Sequence, residues 1–242
     1  MRQKIRRTIL FISFLLFPIT IWYFSPYLII QAASEHIMNG SFIVFVAMFV
    51  FSLFFGRVWC GYFCPAGGLQ ECVMRINDRP AKQGKRDLIK YVIWVIWMCA
   101  IVVTFILGKN RVRINPFYMT DHGISVSGIH NYVIYYGGLF ILVLPALIHG
   151  RRAACHYICW MAPFMVIGST IGRWLHLPQL HMEADPDQCI ACGKCSRACP
   201  MGLNVKRMVA EETYSGCTEC ILCGACVDEC PKKVLKYRMK WR

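Results

Sequence analysis

The chain has few charged side chains, and acidic ones are the scarcest. Of its 242 residues, 17% are charged and 57% are apolar, with 13 Asp or Glu against 27 Lys or Arg. A water-soluble domain can hardly use that much apolar surface, so the composition favours a membrane protein.

Signatures of several other functions are missing. The sequence has no C-x-x-C-H run for covalent haem attachment and no glycine-rich loop that would cradle the phosphates of NAD(P)H. The net charge is +14, but the basic residues are spread along the edges of apolar stretches, and no nucleic-acid-binding motif accompanies them. We therefore expect membrane lipid, and not nucleic acid, as the partner of this positive charge.

Four apolar stretches have roughly the 20 residues that a helix needs to cross a bilayer. They are residues 8–30, 37–55, 88–107 and 132–148. The first follows a basic lead, as in a signal peptide, but its apolar core is longer than the roughly 7–15 residues typical there, so we expect a retained helix. A fifth segment, residues 161–172, is short for a crossing and favours an interfacial or re-entrant helix.

Lysine and arginine predict the orientation. They number four in residues 1–7, seven in 56–90 and 13 from residue 150 onward, but none in 31–41 and three in 108–131. Because basic loops stay in the cytoplasm, we expect a multi-pass protein of the inner (cytoplasmic) membrane with its N-terminus and C-terminal part in the cytoplasm. In that reducing compartment the 15 cysteines need not form disulfides.

The last 54 residues contain nine of the 15 cysteines. Eight of these form two runs of C-x2-C-x2-C-x3-C, each followed by proline, which begin at Cys189 and Cys220. In two-cluster ferredoxins three thiolates of such a run hold one [4Fe–4S] cluster, and the fourth ligates the other cluster. The spacing predicts one cluster on Cys189, Cys192, Cys195 and Cys230, and a second on Cys220, Cys223, Cys226 and Cys199.

A ninth cysteine complicates the second run. Cys217 precedes Cys220 by the same spacing and so competes as a ligand. The proline that follows Cys230 favours the set that ends there and leaves Cys217 as a spare thiol. We expect residues 178–242 to fold as a small α+β two-cluster ferredoxin-like module.

Residues 1–177 contain a repeat, with copies at about 1–87 and 88–177. Each copy has two apolar stretches, then Gly-Arg and Cys-x-Tyr-x-Cys, which gives the pairs Cys60 and Cys64, and Cys155 and Cys159. The expected fold is a mainly α-helical membrane protein: four transmembrane helices in two repeated hairpins, plus the module. Residues four apart share a helix face, so the pairs can converge as four thiols, although Pro65 favours a turn at Cys64.

Three interpretations of these pairs stay open. Four converging thiolates can hold an additional iron or iron–sulfur centre, because soft ligands suit such metals. Alternatively, each pair is a redox-active dithiol, or the cysteines pack the helix ends without a cofactor.

Together these motifs resemble the NapH-type polyferredoxin family, whose members combine membrane helices, Cys-x3-Cys-Pro motifs and a two-cluster module. The family includes quinol dehydrogenase subunits, the ferredoxin-bearing half of NosR-type proteins, and CcoG-type proteins linked to copper handling. Cys60-Gly-Tyr-Phe-Cys64-Pro65 is similar to the family's first motif, whereas Cys159 is followed by Trp160. The resemblance implies electron transfer between the membrane quinone pool and a partner redox subunit.

Quinone chemistry needs an apolar slot and a residue that moves protons. The candidates for proton transfer are Glu35, His36, Asp121, His122 and His130 on the outer side, and His149 and His156 on the inner side. The main hypothesis is therefore a membrane-bound oxidoreductase subunit that transfers electrons between quinone and a partner protein.

Two alternatives use the cysteine pairs differently. In the first, Cys60, Cys64, Cys155 and Cys159 bind and reduce a soft metal such as copper, with Met161 and Met165 as further soft ligands. In the second, the chain is a redox-sensing regulator whose clusters change a contact with a partner.

Overall fold

The structure is a computed structural model that describes residues 1–108 and 112–240. The described chain is mostly helical, with two small sheets. Three basic residues that entered the orientation prediction, Lys109, Arg111 and Arg242, lie outside the described residues.

The first apolar stretch is bent and does not form one straight helix. Its elements are α1 (Arg2–Leu15), α2 (Phe17–Thr20), a 3-10 turn (Ile21–Phe24) and α3 (Pro26–Ser34). The α1 axis makes an angle of 58° with the unit that follows it. Pro18 and Pro26 lie in the first turns of α2 and α3, where their missing N–H groups cannot continue a preceding helix.

Two helices are long and apolar enough to cross a membrane. They are the segment Lys85–Leu107, which comprises a 3-10 turn (Lys85–Leu88) and α7 (Ile89–Leu107), and α8 (Ile129–His149). The bent pair of α1 and Phe17–Phe24 is a third among the described residues if it forms one span. The second predicted stretch comprises β1 (Ile37–Asn39) and α4 (Gly40–Phe55), whose 16 residues make it shorter. These helices are compatible with a membrane protein.

A short helix and then a longer one follow each hairpin. After α4 come α5 (Val58–Tyr62) and α6 (Pro65–Val73), and after α8 come α9 (Ala153–Tyr157) and α10 (Met161–Trp174). Helix α10 has only 14 residues and packs on α4, as expected for a segment too short to cross. Helix α6 packs between α1 and α8, and α3 packs on α7.

Both hairpins end in a glycine with positive φ. Gly56 follows α4 at φ 52°, and Gly150 follows α8 at φ 95°. A Cβ atom on Gly150 would also lie 2.1 Å from the carbonyl oxygen of Arg79, so this turn requires glycine. The Gly-Arg element of the sequence repeat therefore marks the end of each hairpin.

The C-terminal part is built around one antiparallel strand pair. Strand β3 (Gln179–Ala184) pairs with β4 (Leu235–Lys240) from Gln179 opposite Lys240 to Ala184 opposite Leu235. Between them lie 3-10 turns at Pro186–Gln188 and Thr213–Gly216 and three helices, α11 (Lys194–Ala198), α12 (Val205–Ala210) and α13 (Ala225–Asp228). The other sheet is a parallel pair of β1 with β2 (Arg113–Asn115).

The core of the C-terminal part continues into the helical part. Cys60 and Met165 belong to the same buried cluster as Cys199, Cys223 and Ile221. The predicted boundary near residue 177 lies between α10 and β3, but apolar packing crosses it. The cysteine pairs of the helical part consequently lie close to the cysteines of the module.

Candidate functional site

The eight cysteines of the C-terminal runs surround two cavities. One cavity is lined by Cys189, Cys192, Cys195 and Cys230, and the other by Cys199, Cys220, Cys223 and Cys226. Each set includes the fourth cysteine of the opposite run, as the spacing predicts. Among the described residues no three His, Cys, Asp or Glu side chains converge on a point that could hold a single metal ion.

The two loops that carry these cysteines have matching backbones. In the first loop Ala191 and Gly193 have φ values of 53° and 70°, and in the second Leu222 and Gly224 have φ values of 51° and 71°. A positive φ is unusual for alanine and leucine, so the tight curl is imposed by the loop itself. The curl brings cysteines spaced by two residues around one cavity.

The two cavities differ in exposure. Cys192 is exposed and Cys189, Cys195 and Cys230 are partly exposed, so the cavity they line, which we call the outer cavity, reaches the surface. At the inner cavity, by contrast, Cys199, Cys223 and Cys226 are buried. Its other walls are apolar side chains such as Met201 and Ile221.

Side chains of the helical part hold the loops of the inner cavity. Five of them donate to carbonyl groups there: Arg2 to Gly224 (3.0 Å), Gln3 to Cys223 (3.0 Å), Tyr62 to Cys223 (3.4 Å), Arg151 to Cys199 (3.0 Å) and His156 to Met201 (3.0 Å). The N-terminus and the module are therefore on the same side of the molecule. The inner cavity faces the helical part, and the outer cavity faces away from it.

The two cysteine pairs of the helical part have the same local geometry. In the first pair the N–H groups of Phe63 and Cys64 both donate to the carbonyl of Trp59, at 2.9 and 3.0 Å. In the second, the N–H groups of Ile158 and Cys159 both donate to the carbonyl of Ala154, at 3.1 Å. The turn expected at Cys64 is present, and the second copy makes the same turn without a proline after it.

These turns bring all four cysteines to one place. Cys60, Cys64, Cys155 and Cys159 line a single cavity of about 150 Å³, which we call the four-cysteine cavity. The convergence of the two pairs, which the repeat made conceivable, is thus present in the fold.

Each copy of the repeat also supplies one buried arginine, three residues before its first cysteine. Arg57 and Arg152 are 3% and 0% exposed, and their carbonyls accept from the N–H groups of Cys60 and Cys155, at 3.0 and 2.9 Å. Arg57 binds Glu219 at 3.1 Å, and Arg152 binds Glu71 at 2.7 Å. A buried guanidinium is costly without a partner, so these carboxylates are structural requirements.

Cations outnumber carboxylates in this buried region. Arg6 also binds Glu71, and Lys90 also binds Glu219, so four buried cations share two glutamates. Burial alone would raise the pKa of Glu71, but Arg152 and Arg6 hold it below its ordinary value. Burial alone would also raise the pKa of Glu219, but Arg57 and Lys90 hold it below its ordinary value.

The surplus of positive charge bears on the four thiols. Asp87 is 17% exposed and interacts with both His156 and Lys90, so the four buried cations have three carboxylates near them and one positive charge stays without its own. Four thiolates around an oxidised iron–sulfur unit carry a total of about −2. Burial raises the pKa of the Cys155 thiol, and the neighbouring Arg152, Arg57 and Lys90 act against this increase.

The other walls of the four-cysteine cavity are apolar and rich in aromatic rings. They include Phe17, Trp22, Phe24, Trp59, Trp160, Ile134, Gly138 and Leu142. Ile134 belongs to the long apolar helix α8 and is 57% exposed, so the cavity borders an outer apolar surface.

One polar group in these walls has no partner. The indole N–H of Trp59 is buried and makes no hydrogen bond within the described part of the chain. The indole of Trp160, in the same cavity, donates to the carbonyl of Phe24 at 3.1 Å. A buried donor without an acceptor is uncommon and marks a place where a ligand acceptor would be stabilised.

The four-cysteine cavity adjoins the inner cavity. A Cβ atom on Gly61 would lie 2.5 Å from the carbonyl oxygen of Ile221 and 3.6 Å from the Cα atom of Cys223. Helix α5 therefore approaches the second cysteine loop as closely as backbone atoms allow, and only glycine fits there.

The predicted proton-transfer residues lie elsewhere. Glu35 accepts from the hydroxyl of Tyr118, and His36 stacks on Phe105. Asp121, His122, His130 and His149 lie in exposed positions. Of these candidates, only His156 neighbours one of the four cysteines in the sequence. It is fully buried, and its Nδ1 atom lies 3.4 Å from Oδ1 of Asp87.

Two further predictions concern sulfur atoms. Met165 Sδ lies 3.5 Å from Cys60 Sγ, and Met161 lines the four-cysteine cavity, so both methionines lie where a soft ligand was expected. Cys217 does not line the inner cavity but shares a neighbouring pocket with Cys220 and Arg57.

Sequence reasoning missed the buried charges and the unpartnered indole. Arg57 is one of the basic residues on which the predicted orientation rests, but it is buried. The signal that could have revealed it is the arginine three residues before the first cysteine in both copies of the repeat. No comparable signal marked Glu71, Glu219 or Trp59.

Comparison with known families matches two parts of the chain. Residues 40–86 match a 4Fe-4S binding domain, which contains the first cysteine pair, and residues 181–231 match a 4Fe-4S dicluster domain. No solved structure matches the chain.

Several curated proteins are distant relatives. "Putative electron transport protein YccM" of Escherichia coli (strain K12) is 26% identical over 207 residues, which cover 77% of this chain and 53% of the relative. "Uncharacterized protein MJ0750" of Methanocaldococcus jannaschii is 24% identical, covering 72% of this chain and 71% of the relative. "Protein RdxA" of Cereibacter sphaeroides is 25% identical, covering 80% of this chain and 44% of the relative. The chain thus spans about half the length of YccM and less of RdxA.

The two matched domains support the predicted iron–sulfur protein, and the similarity to YccM agrees with the predicted electron transfer. The narrower resemblance to NapH-type and NosR-type proteins stays a prediction. By these matches the chain is similar to iron–sulfur proteins, and one of the relatives is named for electron transport.

Proposed function

We propose that the chain transfers electrons between a membrane quinone and a partner redox protein, and that the quinone ring binds against the aromatic wall of the four-cysteine cavity, where this wall meets the exposed face of α8. The observation that carries the proposal is the cavity itself: four cysteines and an aromatic wall meet beside α8, a helix long and apolar enough to span a membrane. An apolar cleft with few polar groups is the usual site for a flat apolar ligand.

In this proposal the cysteines hold three groups. Cys189, Cys192, Cys195 and Cys230 hold one [4Fe–4S] cluster, and Cys220, Cys223, Cys226 and Cys199 hold the second, which the two cavities of the module support. Cys60, Cys64, Cys155 and Cys159 hold an additional iron–sulfur centre, which the buried positive charge supports. When bound, these groups supply one-electron transfer.

The protein itself supplies order and shielding. Gly61 keeps the four-cysteine cavity within backbone contact of the inner cavity. Arg57 and Arg152 stabilise negative charge on the thiolates, since both guanidinium groups are buried next to a cysteine turn. The aromatic walls exclude water from the space where a quinone would take up two electrons and two protons.

We further propose a position in the cytoplasmic membrane, with the N-terminus and the module on the cytoplasmic side. The basic residues of loops 56–90 and 150 onward support this orientation. The pairing of Arg2 with Asp228 at 2.7 Å supports it independently, because it requires the N-terminus and the module to be on the same side.

Re-oxidation by quinone tests the proposed function. The detergent-purified protein would be reduced anaerobically with dithionite, freed of excess reductant and mixed with a water-soluble menaquinone analogue while the cluster absorbance is followed. We expect rapid re-oxidation with the analogue and none with a redox-inert mimic of the same ring. Protein that keeps its clusters but is not re-oxidised would refute quinone as the partner.

The unpartnered indole gives a sharper prediction. In the W59F variant the ring is kept but the N–H is lost, so a quinone carbonyl loses one hydrogen bond of about 1 kcal/mol, which corresponds to roughly a fivefold rise in the KM for the analogue. The matched control is W94F, because the indole N–H of Trp94 is also buried without a partner in the described chain but does not line the cavity. Equal KM values for W59F and the unaltered protein would remove Trp59 from the site.

One observation favours a second candidate function. Met165 Sδ and Cys60 Sγ lie 3.5 Å apart, and Met161 is also in the cavity wall, so a soft metal such as copper would find sulfur ligands of two kinds. In that case Cys60 and Met165 bind the metal as a substrate. Copper bound per chain after anaerobic loading with Cu(I), and its loss in the M165L variant, would favour metal handling over quinone chemistry.

A further inference from the structure

We propose that a small, acidic one-electron carrier protein docks over the outer cavity of the module, at a basic face defined by Ile190, Lys206 and Lys232. The proposal rests on the proposed electron-transfer function and names the chemistry of the partner. Its first support is the contrast between the two cavities of the module. Lys206 and Lys232 line the outer cavity, whereas no charged side chain lines the inner one.

Exposure points to the same face. Cys192 is exposed, and Ile190 beside it is 58% exposed, although a large aliphatic side chain gains from burial. An apolar centre surrounded by charged groups is the usual anatomy of a transient interface. The inner cavity cannot serve this role, because Arg2, Gln3, Tyr62 and other side chains of the helical part cover its loops.

Charge decides which partner fits. The segments around the outer cavity expose five basic side chains: Lys194, Arg197, Lys206, Lys232 and Lys233. They expose four acidic ones, Asp185, Asp187, Asp228 and Glu229, of which Asp228 is paired with Arg2. No acidic side chain lines the cavity itself within the described residues. Since complementary charge accelerates encounter and selects orientation, an acidic carrier is favoured over a basic one.

The transfer requires no other reactant. A reduced carrier gives up one electron and this chain gains it, and no bond is made or broken and no proton moves. Because Cys192 is exposed, a carrier protein can come close to the outer cavity without forming a permanent complex. The contact can therefore be weak and sensitive to salt.

The test follows oxidation of a reduced acidic [2Fe–2S] ferredoxin by the full-length oxidised protein in detergent, without quinone. We expect the double variant K206E/K232E to slow the second-order rate at least tenfold at low ionic strength, with the difference disappearing at high salt. The control is K82E/K85E, which changes the net charge equally at exposed positions that do not line the outer cavity. We expect this control to react as fast as the unaltered protein.

Other outcomes overturn the proposal. Equal slowing by both double variants would mean that net charge, and not this face, governs encounter. No slowing by either would place the docking site elsewhere. Should K206E/K232E lose its cluster absorbance, the I190A variant replaces it, and we expect a slower reaction with unchanged salt dependence. Because quinone is absent, a failure here leaves the quinone result untouched, and the reverse also holds.

Discussion

The double variant C155S/C159S should lose re-oxidation by quinone and keep the two clusters of the module. Two of the four ligands of the proposed third centre would be gone, and serine hydroxyl groups do not replace thiolates for iron. The eight cysteines of the module would be intact, so iron should fall to the roughly eight atoms per chain of two [4Fe–4S] clusters. Iron and sulfide analysis, EPR after reduction and the re-oxidation assay check these three results.

The control for this variant is C72S/C99S, since neither thiol lines the four-cysteine cavity. We expect that variant to keep the iron content and the re-oxidation rate of the unaltered protein. An unaltered protein with only about eight iron atoms per chain, and no change on replacement of Cys155 and Cys159, would contradict the third centre. Rapid re-oxidation of C155S/C159S by quinone would contradict the role of the cavity.

The largest effect on stability is expected for the E71Q variant. Glu71 is 13% exposed and binds Arg6 and Arg152, which are themselves buried, so loss of its charge leaves two guanidinium groups without a counter-ion. Removal of one partner of a buried ion pair costs about 3–5 kcal/mol. For a chain of this length the midpoint of thermal unfolding should fall by roughly 10 °C. Differential scanning fluorimetry in detergent at one fixed scan rate measures the shift.

A surface ion pair provides the matched control for E71Q. Arg207 and Glu211 form an i,i+4 pair on α12 with side chains 72% and 47% exposed. Such a pair contributes about 0–1 kcal/mol, so E211Q should hardly move the unfolding midpoint. A midpoint of E71Q within error of that of E211Q would show that the buried arginines are compensated by something other than Glu71.

The prediction of the cysteine sets of the module rests on a local signal. Ligand spacing of two residues and the proline after the fourth cysteine specify how a short loop wraps a cluster. The cavities group Cys199 with Cys220 and Cys230 with Cys189, as the spacing predicts. The turn at Cys64 was predictable for the same reason, since Pro65 restricts the residue before it.

Features that depend on packing were less visible in the sequence. Residues 8–30 are apolar throughout, and Pro18 does not by itself reveal that the stretch breaks into α1, α2 and α3. A lysine or arginine near a membrane edge has the same sequence signature whether it is solvated or buried. Arg57 therefore looked like an ordinary cytoplasmic arginine, although Glu219, 162 residues later, is its partner. Contacts at such separation leave no local pattern.

Photolabelling with an azido-quinone tests the central claim, that a quinone ring binds against the aromatic wall of the four-cysteine cavity. The protein would be illuminated anaerobically with the probe, digested, and its labelled peptides mapped by mass spectrometry. We expect label within residues 17–26, 57–67, 134–142 and 154–161, which line the cavity, and competition by unlabelled menaquinone analogue. Label confined to other segments, or label that the analogue does not displace, would contradict the account.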